Sequence, residues 1–406
     1  MRILHTADWH LGKNLEGYSR LQEQEMFLDD FVKIVKENNI DLVIIAGDVY
    51  DSFNPPAKAE KLFYDTLKKI SEGGKRLSLV IAGNHDSPER LVAAGPLAME
   101  HGIIMIGTPK TIIPTGNYGK HKVIDSGEGY IEIEINNEKS VILTIPYPSE
   151  KRLNEVLYGE MDDEEEKLKS YGERINELFD SLKDKYREDT INLVVSHLYT
   201  MGSEEAGSER SIQLGGSYIV PASCFPREAQ YVALGHIHKP MIVPKSNKKV
   251  RYSGSPLQYS KKEANTQKGC ILLDIKANKE VYFENINFKT YKPIDIWKCN
   301  SIEDAIEMCK KNKDRDSYVY LEIKTDRYIR EDEIKEMKSN KKDILEINPK
   351  ITGIYENNNS EEILDKPFKE IFQEFYMKER GVEPEKEVVD ILMSILSKEE
   401  DNNETN

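Results

Sequence analysis

Cysteine is scarce in this chain, with four residues in 406 at Cys224, Cys270, Cys299 and Cys309 and no C-x-x-C pair. That spacing excludes a disulfide framework and a thiolate zinc site, and the four read as reduced structural residues. There is no run of about 18 apolar residues, so a membrane span is excluded. The start, Met1-Arg2-Ile3-Leu4-His5, has no charged segment, apolar stretch and small-residue cleavage site of a secretory leader, and the expected location is the cytoplasm. No internal repeat is visible. Positive charge is also short: 57 Lys and Arg stand against 72 Asp and Glu, a net charge of −15. A polyanion partner draws on clustered basic residues, so this balance at first counts against nucleic acid.

The distribution of charge changes that reading. Between residues 239 and 262 lie Lys239, Lys245, Lys248, Lys249, Arg251, Lys261 and Lys262, with no acid. The acidic surplus sits elsewhere, fifteen acids against six bases in 351–406 and fourteen against eight in 150–190. The basic stretch is either a DNA-facing patch or an ordinary solvated loop.

Histidine is where the chain is informative. Five of the eight histidines fall inside short motifs that each follow an apolar run: Asp8-Trp9-His10, Gly47-Asp48-Val49-Tyr50-Asp51, Gly83-Asn84-His85-Asp86, Ser196-His197 and Gly235-His236-Ile237-His238. The preceding runs, such as Leu42-Val43-Ile44-Ile45-Ala46 and Leu193-Val194-Val195, do not alternate and are rich in β-branched residues. They read as strands covered on both faces. Helical patterns lie between the early ones, over 21–35 and 59–70, and Ser87-Pro88 reads as an N-cap and first helical residue just after His85. This is an α/β chain with its chemistry at the carboxyl ends of its strands, where α/β sheets build ligand crevices.

Three segments follow from the pattern. Residues 1–287 form a catalytic domain, closed by a strand pair at 271–275 and 281–286. Residues 288–350 form a small α/β accessory domain, with helices at 301–311 and 330–339 around a strand at 318–323. Residues 351–406 hold a polar linker at 357–360 and two amphipathic helices. Phe368, Ile371, Phe372 and Phe375 share one helical face, and Val388, Ile391, Leu392 and Ile395 share another. Either the stripes pack on the chain's own core or, as the linker favours, they dock on a partner protein. The charged stretch 158–189 reads as a peripheral excursion without chemistry. The Gly- and Ser-rich segment 200–217 is a lid over the crevice or a plain surface loop.

Carboxylate, imidazole and carboxamide together suit a pair of divalent metals, and two such ions about 3.5–4 Å apart form the usual clamp for splitting phosphate esters. Asp48 is the best bridging ligand, because a buried strand and a glycine precede it. Asp8 and His10 project to one side and hold one ion; Asn84 and His197 complete the second site. His236 and His238 also share a side and can serve different ions. His85 is left over, placed to protonate the departing oxygen or to stabilise its charge. His5, His101 and His121 read as structural.

The five motifs resemble those of the calcineurin-like metallophosphoesterases. The stretch 1–262, including Asp8-Trp9-His10-Leu11-Gly12 and Arg251-Tyr252-Ser253-Gly254-Ser255-Pro256, is similar to the DNA-nuclease branch of that family, and the likeness continues through Tyr320-Leu321-Glu322-Ile323. The resemblance implies a β-sandwich flanked by helices, a small second domain that helps hold DNA, and two Mn²⁺ ions per chain, with Mg²⁺ the alternative. It also implies a homodimer assembled with an ABC-type ATPase into a heterotetramer that cuts double-stranded ends and hairpins in DNA repair, recombination and replication. By position it assigns Asp8, His10, Asp48 and His238 to one metal, Asp48, Asn84, His197 and His236 to the other, and His85 to catalysis with Asp51 orienting it. Two rivals stand beside it, a free-standing phosphodiesterase or phosphatase and a scaffold that only tethers DNA ends.

Overall fold

The structure is a computed structural model and describes residues 1–153, 164–209, 219–351 and 368–393. The linker 357–360, the latter part of 200–217, Ile395 and the side chain of Phe368 lie outside them. The chain divides into two compact units, Met1–Tyr291 and Lys292–Asn406.

The first unit is built on two sheets. One has six strands, with Arg2–Thr6, Leu42–Ala46, Leu77–Ile81 and Ile103–Ile106 running parallel and Gly269–Asp274 and Tyr282–Asn287 added antiparallel beside the first. The other has eight, with Glu138–Ile145, Ile191–His197, Tyr231–Gly235 and Val250–Tyr252 parallel at its centre.

The unalternating strands are explained by what covers them. Along Leu42–Ala46, Leu42, Ile44 and Ala46 join the core between the sheets, where Ile3, Leu79, Ile142, Leu193 and Ala233 meet them. Val43 and Ile45 face the other way, into a core with Phe27, Phe31, Phe63 and Leu67 from the helices Leu21–Glu37 and Ala57–Ser71. The second sheet is backed in turn by the helix Glu164–Leu182, whose Tyr171, Ile175 and Phe179 pack against Val141, Leu143, Val194 and Val232. The described part of the stretch 158–189, from 164 onward, is therefore no excursion: apolar residues at i, i+4 and i+8 make its helix a structural layer. The strands His121–Gly127 and Tyr130–Ile135 complete a hairpin that the motif pattern did not mark.

The second unit holds a parallel three-stranded sheet, Ile294–Cys299, Tyr318–Thr325 and Ile344–Ile351, with the helices Ile302–Lys311 and Glu331–Asn340 on it. The last described segment is tied to this unit. Val382 packs on its core, Ile329 bridges to Val382, and Val389 is 3% exposed. The second helix is thus anchored by Val389 and not by Val388, while Phe375, Val388 and Ile391 are exposed and Ile371, Phe372 and Leu392 half-buried. No helix among the described residues is long and apolar enough to cross a membrane. All four cysteines are free and buried.

Candidate metal centre

The motifs meet where the two sheets present the carboxyl ends of their parallel strands. The loops after Arg2–Thr6 and Leu42–Ala46 stay bonded past the strand ends, Asp8 N–H to Gly47 carbonyl at 3.0 Å and His10 N–H to Asp48 carbonyl at 3.0 Å. Asp8, His10, Asp48 and His236 all take left-handed backbone, with φ of 54°, 45°, 49° and 104°. Such conformations are costly for residues with a Cβ and persist where the surroundings enforce them, commonly at functional sites. Close packing enforces them here. A Cβ at Gly83 would collide with Asp48, and one at Gly47 with the His197 ring.

Three groups of candidate ligand atoms result among the described residues, one of them His10, Asp51 and His85, and the other two form the centre. Those of Asp8, His10 and His238 lie within 4.8 Å of one another, as do those of Asp48, His197 and His236. Asn84 Oδ1 joins the second group, 2.9 Å from His197 Nε2 and 3.1 Å from His236 Nδ1. Asp48 reaches both, its Oδ2 standing 3.6 Å from His10 Nε2 and 3.4 Å from His197 Nε2. His10 Nε2 and His238 Nε2 face each other at 3.0 Å. Buried polar atoms are almost always paired, yet Asp8 Oδ2, His85 Nε2 and His236 Nε2 are buried without a partner. A cluster of imidazole, carboxylate and amide donors with buried atoms left bare fits divalent metal.

Electrostatics point the same way. Burial works to raise the Asp48 carboxyl, but the imidazoles of His197, His85 and His10 outweigh it and hold Asp48 well below the usual range. Burial pushes Asp8 well up and His10 and His236 down, to about 4 and about 3. His197 goes the other way, to about 9: burial lowers it, and Asp48 and Asp8 overcome that. It donates from Nδ1 to the Ala46 carbonyl at 2.9 Å, and its second proton points at Asn84.

Divalent metal at Nε2 must expel that second proton. Affinity should therefore rise with pH, by up to about tenfold per unit, and level off near pH 9. Calorimetric titration in buffers of different ionisation enthalpy counts the proton, and a flat pH profile would sink the assignment. In the metal-free chain the raised pKa adds stability that is complete below the ordinary value of 6.5 and is lost as pH rises through about 9.

His85 stands at the rim of the first group, its ring edge-on to His10 at 4.7 Å. Its Nδ1 lies 2.8 Å from the backbone carbonyl of Asp51, to which it donates. This corrects the role expected of Asp51. The Asp51 carboxylate accepts from Lys13 at 2.8 Å and stands 3.4 Å from His10 Nδ1; the peptide oxygen, not the side chain, holds His85.

Asp86, the last residue of the Gly83-Asn84-His85-Asp86 motif, is fully buried and accepts from the N–H groups of Val49, Tyr50 and Gly83. It clamps the Asp48 loop to the Asn84 loop, and Arg152 supports it by donating to the carbonyls of Gly83 and Asp86. His5 bonds Tyr231 and the Leu234 carbonyl, and His121 the Lys75 carbonyl, as structural histidines do.

The basic stretch does not form one patch. Arg251 is 4% exposed, with its guanidinium 3.4 Å over the Phe283 ring, so it is a packing residue and not a DNA contact. Lys249 donates to the Arg227 and Ala229 carbonyls, and Lys239 pairs with Glu204. Lys261 is half-buried, while Lys245, Lys248 and Lys262 are exposed. In the segment expected as a lid or loop, Ser208 and Glu209 bond to His238, so its described part grips a candidate ligand.

Fold and donor set together define a metal-dependent phosphoesterase. The pattern of the calcineurin-like phosphoesterases matches residues 1–240, and that described as the Type 5 capsule protein repressor C-terminal domain matches 290–380. The SbcD component of the nuclease SbcCD from Bacillus subtilis is 38% identical over 98% of both chains. Its counterpart of the same name from Staphylococcus epidermidis is 27% identical over 93% of this chain and 92% of its own. The chain belongs to the calcineurin-like phosphoesterase family, in its SbcD branch, and is a hydrolytic nuclease.

Proposed function

We propose that this chain is the nuclease component of a complex with an SbcC-type ABC ATPase, hydrolysing DNA at double-strand ends and hairpins in repair and recombination in the cytoplasm. The observation that carries the reading is two adjoining ligand groups that share Asp48, with the bare Nε2 of His85 beside them. Asp8, His10, Asp48 and His238 hold one ion, and Asp48, Asn84, His197 and His236 the other. Four imidazoles suit Mn²⁺ better than Mg²⁺, which prefers oxygen ligands. Two bound ions supply a water nucleophile at neutral pH and neutralise charge on the phosphate. The Asp51 carbonyl fixes His85 through Nδ1, which leaves Nε2 to carry a proton to the departing oxygen.

Lys245, Lys248 and Lys262 are the basic side chains left to meet a DNA backbone, and the unit from Lys292 onward is the accessory element that helps hold it. The purified chain with Mn²⁺, with and without its ATPase, should cut blunt and hairpin DNA. Turnover of small phosphodiesters without DNA cleavage would favour the free-standing enzyme instead.

The exposed Phe375, Val388 and Ile391 form the face that docks the ATPase, in a heterotetramer built on a homodimer of this chain. Each such side chain contributes about 1.5–3 kcal/mol when covered. Truncation after residue 359 is a poor test, because it removes Val382 and Val389 from the second unit's packing. The double variant Phe375→Asp, Ile391→Asp should stay folded and cut hairpin DNA alone, but no longer co-purify with the ATPase. Retained co-purification would place the interface elsewhere.

A further inference from the structure

His238 is held at three points by residues outside the ligand set. Its N–H donates to Glu209 Oε1 at 2.9 Å, its carbonyl accepts from Lys268 Nζ at 2.8 Å, and its ring Nδ1 lies 2.5 Å from the Ser208 hydroxyl. Ser208 donates in turn to the Glu263 carboxylate, which also takes Lys268 Nζ, and Lys268 reaches Ser255 Oγ at 2.9 Å. Glu263 is fully buried and Lys268 is 5% exposed. An ion pair sunk this deep loses so much hydration that apolar residues in its place often serve stability as well or better. Stability alone is a poor reason for it.

The direction of the hydrogen bonds supplies a better one. A serine hydroxyl has one proton, and here that proton goes to Glu263. Its oxygen is left to accept from His238, so the ring carries its proton on Nδ1 and a lone pair on Nε2. Nε2 is the atom that faces His10 in the group with Asp8. The other site is controlled differently. His197 is oriented by the backbone carbonyl of Ala46, which every residue at that position would supply.

We propose that Lys268, Glu263 and Ser208 form a positioning relay that locks His238 in the tautomer presenting Nε2 to metal, and so sets the affinity of the Asp8–His10–His238 site. This rests on the two-metal reading above. Nothing near His238 in sequence belongs to the relay, whose members come from the loop at 201–209 and from the segment leading into the strand Gly269–Asp274. Without Ser208 both tautomers of His238 are available, and only one presents the ligand atom.

Titration of the metal-free full chain with Mn²⁺, read from the electron paramagnetic resonance signal of the free ion, tests this alongside thermal melts. The wild-type chain should take up two ions. Ser208→Ala should weaken one of the two affinities by about 10–100-fold, the usual cost of losing a partner behind a metal-bound histidine, and change the other far less. Ser208→Thr keeps the hydroxyl and should restore the lost affinity. The relay is wrong if Ser208→Ala matches the wild type at both sites, if both affinities fall together with the melting temperature, or if Thr restores nothing. A wild-type chain that binds fewer than two ions overturns the two-metal reading itself, and the relay with it.

Discussion

His85→Gln is expected to slow DNA cleavage by about 10²–10⁴-fold, the range for losing a general acid, while two divalent ions stay bound. Glutamine keeps the N–H that donates to Asp48 Oδ1 at 2.8 Å and much of the ring's volume, but cannot carry a proton at the place of Nε2. The rival is specific. His10, Asp51 and His85 also bring ligand atoms within 4.8 Å, which makes a third metal ligand the competing role for His85. Metal counting separates the two: a chain that drops an ion on this substitution makes His85 a ligand and ends its role as acid. Asp51→Asn is the informative contrast. It leaves the carbonyl that orients His85 in place, so the rate should fall far less, and a loss equal to that of His85→Gln would return the orienting role to the carboxylate.

The candidate ligands stood out in the sequence because each motif lies at the end of a strand whose two faces are both buried. Leu42–Ala46 shows why: every residue has an apolar neighbour on its own side, so the run cannot alternate, and the first polar residue after it is free to turn into the crevice. The left-handed backbone at Asp8, His10, Asp48 and His236 completes that turn, and only the glycines nearby hinted at it. The two helices that flank the central strand of the second unit, and that strand itself, were legible from their periodicity.

What stayed hidden depends on partners far along the chain or on backbone atoms. Sequence cannot separate the Asp51 carboxylate from the Asp51 carbonyl, and the structure gives His85 to the carbonyl. Arg251 looked like one more base in a basic stretch, yet Phe283 takes its guanidinium. Acidic surroundings masked the stripe of Tyr171, Ile175 and Phe179, which packs on Val141, Leu143, Val194 and Val232 of the second sheet. At the C-terminus the buried position is Val389 and not Val388, one residue later in the helix phase, while Val382 ahead of it bridges to Ile329.

Asp48→Asn should have the largest effect of any single change, removing cleavage beyond the roughly 10⁴-fold bound for a lost acid and reducing bound metal from two ions to at most one. Asp48 is the carboxylate whose Oδ2 reaches both His10 and His197, and the charge it carries does two separate things. It supplies negative charge to both ligand groups, after which only Asp8 would remain. It also leads the attraction that holds His197 near pKa 9, so the metal-free variant should titrate His197 at lower pH, a change that nuclear magnetic resonance of the imidazole reads directly. Ligand binding stabilises a fold by about 2.7 kcal/mol when free ion stands at 100 times its Kd. The wild type should therefore gain two such increments on Mn²⁺ addition and the Asn variant one at most, visible as a smaller rise in melting temperature. Two ions bound with cleavage intact in Asp48→Asn would show that the groups do not share this carboxylate, and the centre would then be two independent sites.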